Sequence, residues 1–146
     1  MKTKYLLLLA ISLLFSFTIK SDKSEFPWTE KELLSPDILA NKINKNQLKN
    51  TVILSVGFDA IIKNSVDIGA GRDHENIDKL KNHLKNINKT KEIVLYCGCC
   101  PLTKCPNMKP AFTATKELGF KNVNVLNLTN NIKTNWLDKG YPSDEN

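Results

Sequence analysis

The 146 residues, 41% hydrophobic and 25% charged, suffice for one domain with its own core and are too few for two ordinary ones. The formal charge of +6 belongs partly to the N-terminus, because beyond residue 20 there remain 18 Lys and Arg against 15 acids, or +3. Those lysines are interspersed with Asp and Glu instead of clustering with aromatics, which argues against a nucleic-acid partner.

Lys2 and Lys4 precede a run from Tyr5 to Ile19 that is apolar apart from small hydroxylated residues, and polar sequence resumes at Lys20. At about 15 residues the run is short of the roughly 20 that a membrane span needs, so residues 1–20 read as a secretory signal. A retained membrane anchor is the alternative, since cleavage would have to use Ser16/Thr18 or Ile19/Ser21. The protein is therefore expected to be exported, to the periplasm or the exterior, and membrane-bound only where the signal is uncut.

Residues 21–34 read as an N-terminal arm, with Phe26, Pro27 and Trp28 covering one edge of the core. The main domain is expected over 35–142, with a short tail at 143–146. Ser35-Pro36 places an N-cap before a proline at the first helical position, and Ile38, Leu39 and Ile43 carry the helix to about Leu48. Thr51 to Val56 is nearly continuous apolar sequence, as suits a parallel strand buried on both faces. Val66-Asp67-Ile68-Gly69 is a weaker strand. Asp73 is placed to cap a helix in which Ile77, Leu80, Leu84 and Ile87 recur at helical spacing, and its His74 and His83 read as solvated.

Glu92 to Tyr96 is the next buried strand, and Met108 to Leu118 is a helix ended by Gly119, with Ala111, Ala114, Thr115 and Leu118 on its packing face. Asn122 to Leu126 alternates as a strand, and Ile132, Trp136 and Leu137 form a terminal helix stopped by Gly140, with Trp136 in the core. Alternating helices and strands predict an α/β fold, a mostly parallel sheet flanked by helices on both faces. A monomer is expected.

All four cysteines lie between the Glu92 strand and the Met108 helix, in Cys97-Gly98-Cys99-Cys100-Pro101-Leu102-Thr103-Lys104-Cys105-Pro106-Asn107. Open α/β sheets place their chemistry at such a position, where strand ends meet helix N-terminal amides. Disulfide frameworks spread their cysteines through a chain; clustering points to chemistry or a metal. Three uses remain open. One cysteine can be a nucleophilic thiolate stabilised by loop amides. The set can wrap zinc or Cu(I) through Cys97, Cys99, Cys100 and Cys105. Cys97 or Cys100 can pair with Cys105, whereas adjacent Cys99 and Cys100 are poor partners.

Around this loop the chain resembles the rhodanese-like (sulfurtransferase) domain family. The resemblance rests on Ile93-Val94-Leu95-Tyr96-Cys97, on Lys116-Glu117-Leu118-Gly119-Phe120-Lys121-Asn122-Val123, and on Trp136 through Gly140-Tyr141-Pro142. Ser35-Pro36 and the Thr51 strand fit as well, so that most of residues 33 to 142 is covered. An exported bacterial subgroup with the Cys-Gly-Cys-Cys-Pro and Cys-Pro-Asn loop is implied. The resemblance puts Cys97 in the place of the cysteine that takes sulfane sulfur from a donor such as thiosulfate and passes it on from a persulfide. The expected partners are a small sulfur-containing anion and a thiol acceptor. No cofactor beyond the persulfide is implied; a metal-binding or thiol redox module on the same scaffold is the alternative.

Cys99, Cys100 and Cys105 would then resolve or tune the persulfide, and Lys104 and Lys109 would attract an anionic donor. The chain departs from the family in its lengthened loop, in Pro101 and Pro106, which bring no amide hydrogens, and in Ser55 and Gly57, where Asp and Arg are usual. The usual histidine is also missing from Ile61-Ile62-Lys63-Asn64-Ser65.

Overall fold

A computed structural model describes residues 25–144. The signal expected at 1–20, the first residues of the arm and the last two of the tail lie outside them. Five parallel strands, β1 (Leu33–Leu34), β2 (Thr51–Ser55), β3 (Ser65–Asp67), β4 (Glu92–Tyr96) and β5 (Val123–Leu126), form one sheet in the order β1-β5-β4-β2-β3. Helices α1 (Pro36–Asn44), α2 (His74–Leu84), α3 (Met108–Glu117) and α4 (Ile132–Asn135) cover it.

The two-residue period of a strand divides the core into two layers. Ile93, Leu95 and Cys97 join Leu54, Val56, Val123 and Val125 against α2 and α3, while Val94, Tyr96, Ile53 and Leu126 face α1 and the Trp136 region. Helices therefore pack on both faces of a fully parallel sheet, as the nearly continuous apolar runs of β2 and β4 imply. Among the described residues no helix is long and apolar enough to cross a membrane.

Several boundaries differ from expectation for local reasons. α1 ends at Asn44, short of Leu48, because Asn46 turns the chain at φ 53°. β3 is Ser65–Asp67, the stretch in register with Ile53–Ser55, and α2 stops at Leu84 before Ile87. Ser35 and Asp73 hold the N-cap positions, but their side chains do not bond the helix amides; the Ser35 hydroxyl donates instead to Asp37 Oδ1. The arm does more than cover an edge, since Leu33–Leu34 becomes a strand paired with Val125–Leu126. Upstream, Trp28 stacks on Phe26 at 5.1 Å and meets Phe112 edge-on at 5.7 Å.

Gly119 ends α3 at φ 88°, as expected. The terminal helix is shorter than predicted: α4 is capped by Asn131, whose side chain accepts from the Thr134 N–H at 2.8 Å, and it gives way to a 3-10 turn, Leu137–Lys139, before Gly140. Trp136 is fully buried.

The strand order places the functional region. From β2 the chain runs outward to β3, and it returns on the other side of β2 as β4, from which it leaves towards β5. The carboxyl ends of β2 and β4 are thus the point where connections diverge and a crevice opens. Residues 56–62 leave one end and Cys97 leaves the other, joined by a 2.7 Å bond from the Val56 N–H to the Tyr96 carbonyl.

Candidate functional site

Cys97, the first residue after β4, points to the α3 side of the sheet and is 6% exposed. The chain then turns at Gly98 with φ 77°, where a Cβ would stand 2.9 Å from Ile132 Cβ. An L side chain is disfavoured there both by conformation and by space. The Ile132 N–H bonds the Gly98 carbonyl at 2.9 Å, which clamps the start of the loop to α4. At the loop's other end the Leu102 N–H bonds the Leu128 carbonyl at 2.9 Å, and Leu102–Lys104 forms a 3-10 turn that delivers Cys105 back towards Cys97.

The Cys105 thiol, within 4.8 Å, the Asn107 amide, whose Nδ2 donates at 3.2 Å, and the Cys99 backbone N–H surround the Cys97 sulfur. The Cys99 sulfur adds a contact at 3.2 Å. Against the opposing cost of burial, this donor set holds the Cys97 thiol down to about 5, so it is a thiolate at neutral pH. Asn107 also stands at the N-terminal end of α3, where the helix dipole favours negative charge. The neighbours are pushed the other way. Cys105 is raised strongly because its proton is held by Cys97, and Cys99 is raised to about 12 by burial and the adjacent sulfurs.

Cys97, Cys99 and Cys105 have sulfurs all within 4.8 Å of one another. Cys100 is not one of the three, touching Cys99 at 3.4 Å. Three thiols at that spacing suit a trigonal soft ion as well as they suit thiol chemistry, so three of the four cysteines considered as metal ligands are brought together.

A pocket of about 180 Å³ opens over Cys97 and Cys99, walled by Phe58, Asp59, Ile61, Tyr96, Gly98 and Ile132. Its far wall is tied down from the core. The Ser55 hydroxyl donates to the Asp59 carbonyl at 2.8 Å, and the Tyr96 hydroxyl accepts from the Ile62 N–H at 3.2 Å. Ser55, a departure from the resembled family, thus organises this wall. Lys104 and Lys109 are exposed and neither lines the pocket. Lys109 instead lines a groove of about 710 Å³ on the α2–α3 side, together with Cys105. His74 lines that groove too, exposed as expected, while His83 is half-buried. The Arg72 side chain lies 3.7 Å from Asp73 on the surface.

Asn107 is the residue that sequence reasoning missed. Its buried side chain bridges two distant segments, donating to Cys97 through Nδ2 and accepting the Arg72 N–H through Oδ1 at 3.2 Å. An asparagine directly before a helix reads as a cap, and nothing local announces a second partner ten residues back. Gly71 allows the approach, since a Cβ there would stand 2.5 Å from the Asn107 carbonyl oxygen and 3.3 Å from Ala111 Cβ. Gly71→Ala is expected to cost about 1–3 kcal/mol by overpacking and to slow alkylation of Cys97. Denaturant titration beside iodoacetamide kinetics would read both, and no change in either would mean that the loop absorbs the methyl.

No family model matches the chain, and no curated protein matches it significantly. Solved structures do. The Saccharomyces cerevisiae single-domain sulfurtransferase RDL2 shares 17% identity at TM-score 0.54, over 77% of this chain and 95% of that one. A variant of EanB in complex with ergothioneine, covalently linked with a persulfide cysteine, shares 22% identity at TM-score 0.56, and another in complex with hercynine shares 23% at 0.52. This chain spans 27% of the length of EanB. The fold is therefore a rhodanese-like single domain.

Proposed function

We propose that this protein carries sulfane sulfur as a persulfide on Cys97 and transfers it from thiosulfate or another persulfide donor to a thiol acceptor. The observation that carries this reading is a buried cysteine at a strand's carboxyl end, with the Asn107 amide donating to its sulfur at 3.2 Å and two further thiols within 4.8 Å. The thiolate attacks the donor's sulfane sulfur, and the donor's S–S bond breaks. With thiosulfate, sulfite leaves with the electron pair. The persulfide anion that results needs several N–H and S–H donors, and those already facing Sγ supply them. An acceptor thiolate then takes the outer sulfur and releases Cys97.

Lys104 and Lys109 contribute positive charge outside the pocket for an anionic donor or acceptor. Cys99, the most exposed of the three gathered sulfurs, is suited to tuning the persulfide. The protein works as a monomer, without a metal, in the periplasm or outside the cell, where residues 1–20 direct it.

Intact mass, native and denatured, tests this directly. Incubation with thiosulfate or polysulfide is expected to add one sulfur, removable by mild reductant, and Cys97→Ser is expected to abolish the gain. Full loading of Cys97→Ser would sink the assignment. A metal-sized gain confined to the native spectrum would transfer the three thiols to metal binding.

A further inference from the structure

The Cys97 sulfur cluster faces two openings of different size and charge. The pocket over Cys97 and Cys99 is about 180 Å³ and has no Lys, Arg or His in its lining. That volume is below the roughly 300–1,000 Å³ of sites that enclose drug-sized ligands, so it encloses only a small molecule. The second opening is the groove of about 710 Å³ between α2, α3 and the Phe26-Trp28 segment, and Cys105 is the cysteine that lines it. Arg72, Lys81 and Lys109 line this groove against Glu25 and Glu117, and Trp28 supplies an apolar wall. Cys97 does not reach the groove, nor does Cys105 reach the pocket.

Resting on sulfur transfer at Cys97, we propose that Cys105 is the unloading thiol: sulfur captured by Cys97 passes to Cys105, within 4.8 Å, and leaves to an anionic low-molecular-weight thiol in the groove. An acceptor bearing carboxylates fits the groove by volume and by its excess of cationic side chains. The same acceptor is too large for the pocket and finds no cation there.

The transfer is isoelectronic. Cys105 sulfur bonds to the sulfane sulfur, the bond from the sulfane sulfur to Cys97 Sγ breaks, and Cys97 leaves as a thiolate with the electron pair. The Cys105 proton ends on the transferred sulfur, giving a Cys105 hydropersulfide. The acceptor thiol then takes the outer sulfur as its own hydropersulfide, and its proton returns to Cys105. Neither oxidant nor reductant is consumed. The product is the resting pair, a Cys105 thiol beside a Cys97 thiolate.

Trypsin cuts after Lys91 and Lys104, which puts Cys105 on a different peptide from Cys97, Cys99 and Cys100, and fragment ions assign sulfur within the latter. Protein loaded with polysulfide and quenched with iodoacetamide is expected to show an added sulfur on both peptides, and Cys97→Ser on neither. In Cys105→Ala, Cys97 still loads, but transfer to glutathione falls by about tenfold or more through lost positioning, while transfer to small, neutral 2-mercaptoethanol changes less. Lys109→Glu is expected to raise KM for glutathione about fivefold without a matching rise for 2-mercaptoethanol.

The relay is overturned if Cys105→Ala hands sulfur to glutathione at the wild-type rate, or if Cys105 loads when Cys97 is serine. Failure of the wild type to load Cys97 at all would overturn the sulfur-carrier reading on which the relay stands. The two failures are therefore told apart by whether fragment ions place the added sulfur on Cys97.

Discussion

Asn107→Asp is expected to raise the pH at which Cys97 becomes reactive, from about 5 in the native protein, by more than Asn107→Leu does. The amide of Asn107 donates to the thiolate at 3.2 Å while its oxygen accepts the Arg72 N–H. Aspartate keeps the acceptor at nearly the same shape but puts a carboxylate oxygen, a charge of the thiolate's own sign, where the donor stood. Leucine removes both roles without adding charge.

A hydrogen bond to a charged group is worth about 1.5–3 kcal/mol, or about one to two pH units. Leucine should therefore move the alkylation midpoint up by at least about one unit, and aspartate further. Leucine also removes the acceptor of the part-buried Arg72 N–H, whereas aspartate keeps it and should leave stability closer to native. Iodoacetamide rates from pH 4 to 9, beside urea midpoints, separate the two effects. Identical pH profiles in all three proteins would show that Asn107 does not support the thiolate.

Trp136→Ala is expected to cause the largest loss of stability of any single truncation away from the cysteine loop, about 3–5 kcal/mol. The indole is fully buried in the layer formed with Leu34, Tyr96, Leu126 and Ile132. It lies edge-on to Tyr141 at 5.2 Å and donates from Nε1 to the Pro142 carbonyl at 2.9 Å, so it ties the C-terminal segment to the sheet. Against a typical total of about 5–15 kcal/mol, such a loss leaves a marginal domain. The same change loosens Ile132, which walls the Cys97 pocket, and sulfur loading should fall with stability. A loss below about 1 kcal/mol in urea titration would mean that the site collapses around the cavity, contrary to close packing on all sides.

Much of the architecture is legible along the chain, because burial follows strand and helix periods. Ile93, Val94 and Leu95 are apolar in succession because both faces of β4 are covered, and the position of Cys97 follows from where that strand ends. Gly119 and Gly140 end their segments for a local reason, backbone conformation, that a sequence displays. The Leu33–Leu34 strand is not legible, since two leucines after a turn carry no period and gain strand geometry only by pairing with β5.

The four cysteines mark one chemical locus from sequence alone, but their division of labour does not follow from spacing. Cys99 is nearer in sequence to Cys97 than Cys105 is, yet the Leu102–Lys104 turn folds Cys105 back so that its sulfur too lies within 4.8 Å of the Cys97 sulfur. Asn107 is the same case, since its two partners lie at Cys97 and Arg72, on segments far apart in the chain. Residue type and period determined which layers form and where the sulfur sits. Hydrogen bonds and close approaches between distant segments decided which sulfur is charged, which holds the proton and which opening each one faces, because those depend on distances of a few ångströms that only the assembled fold sets.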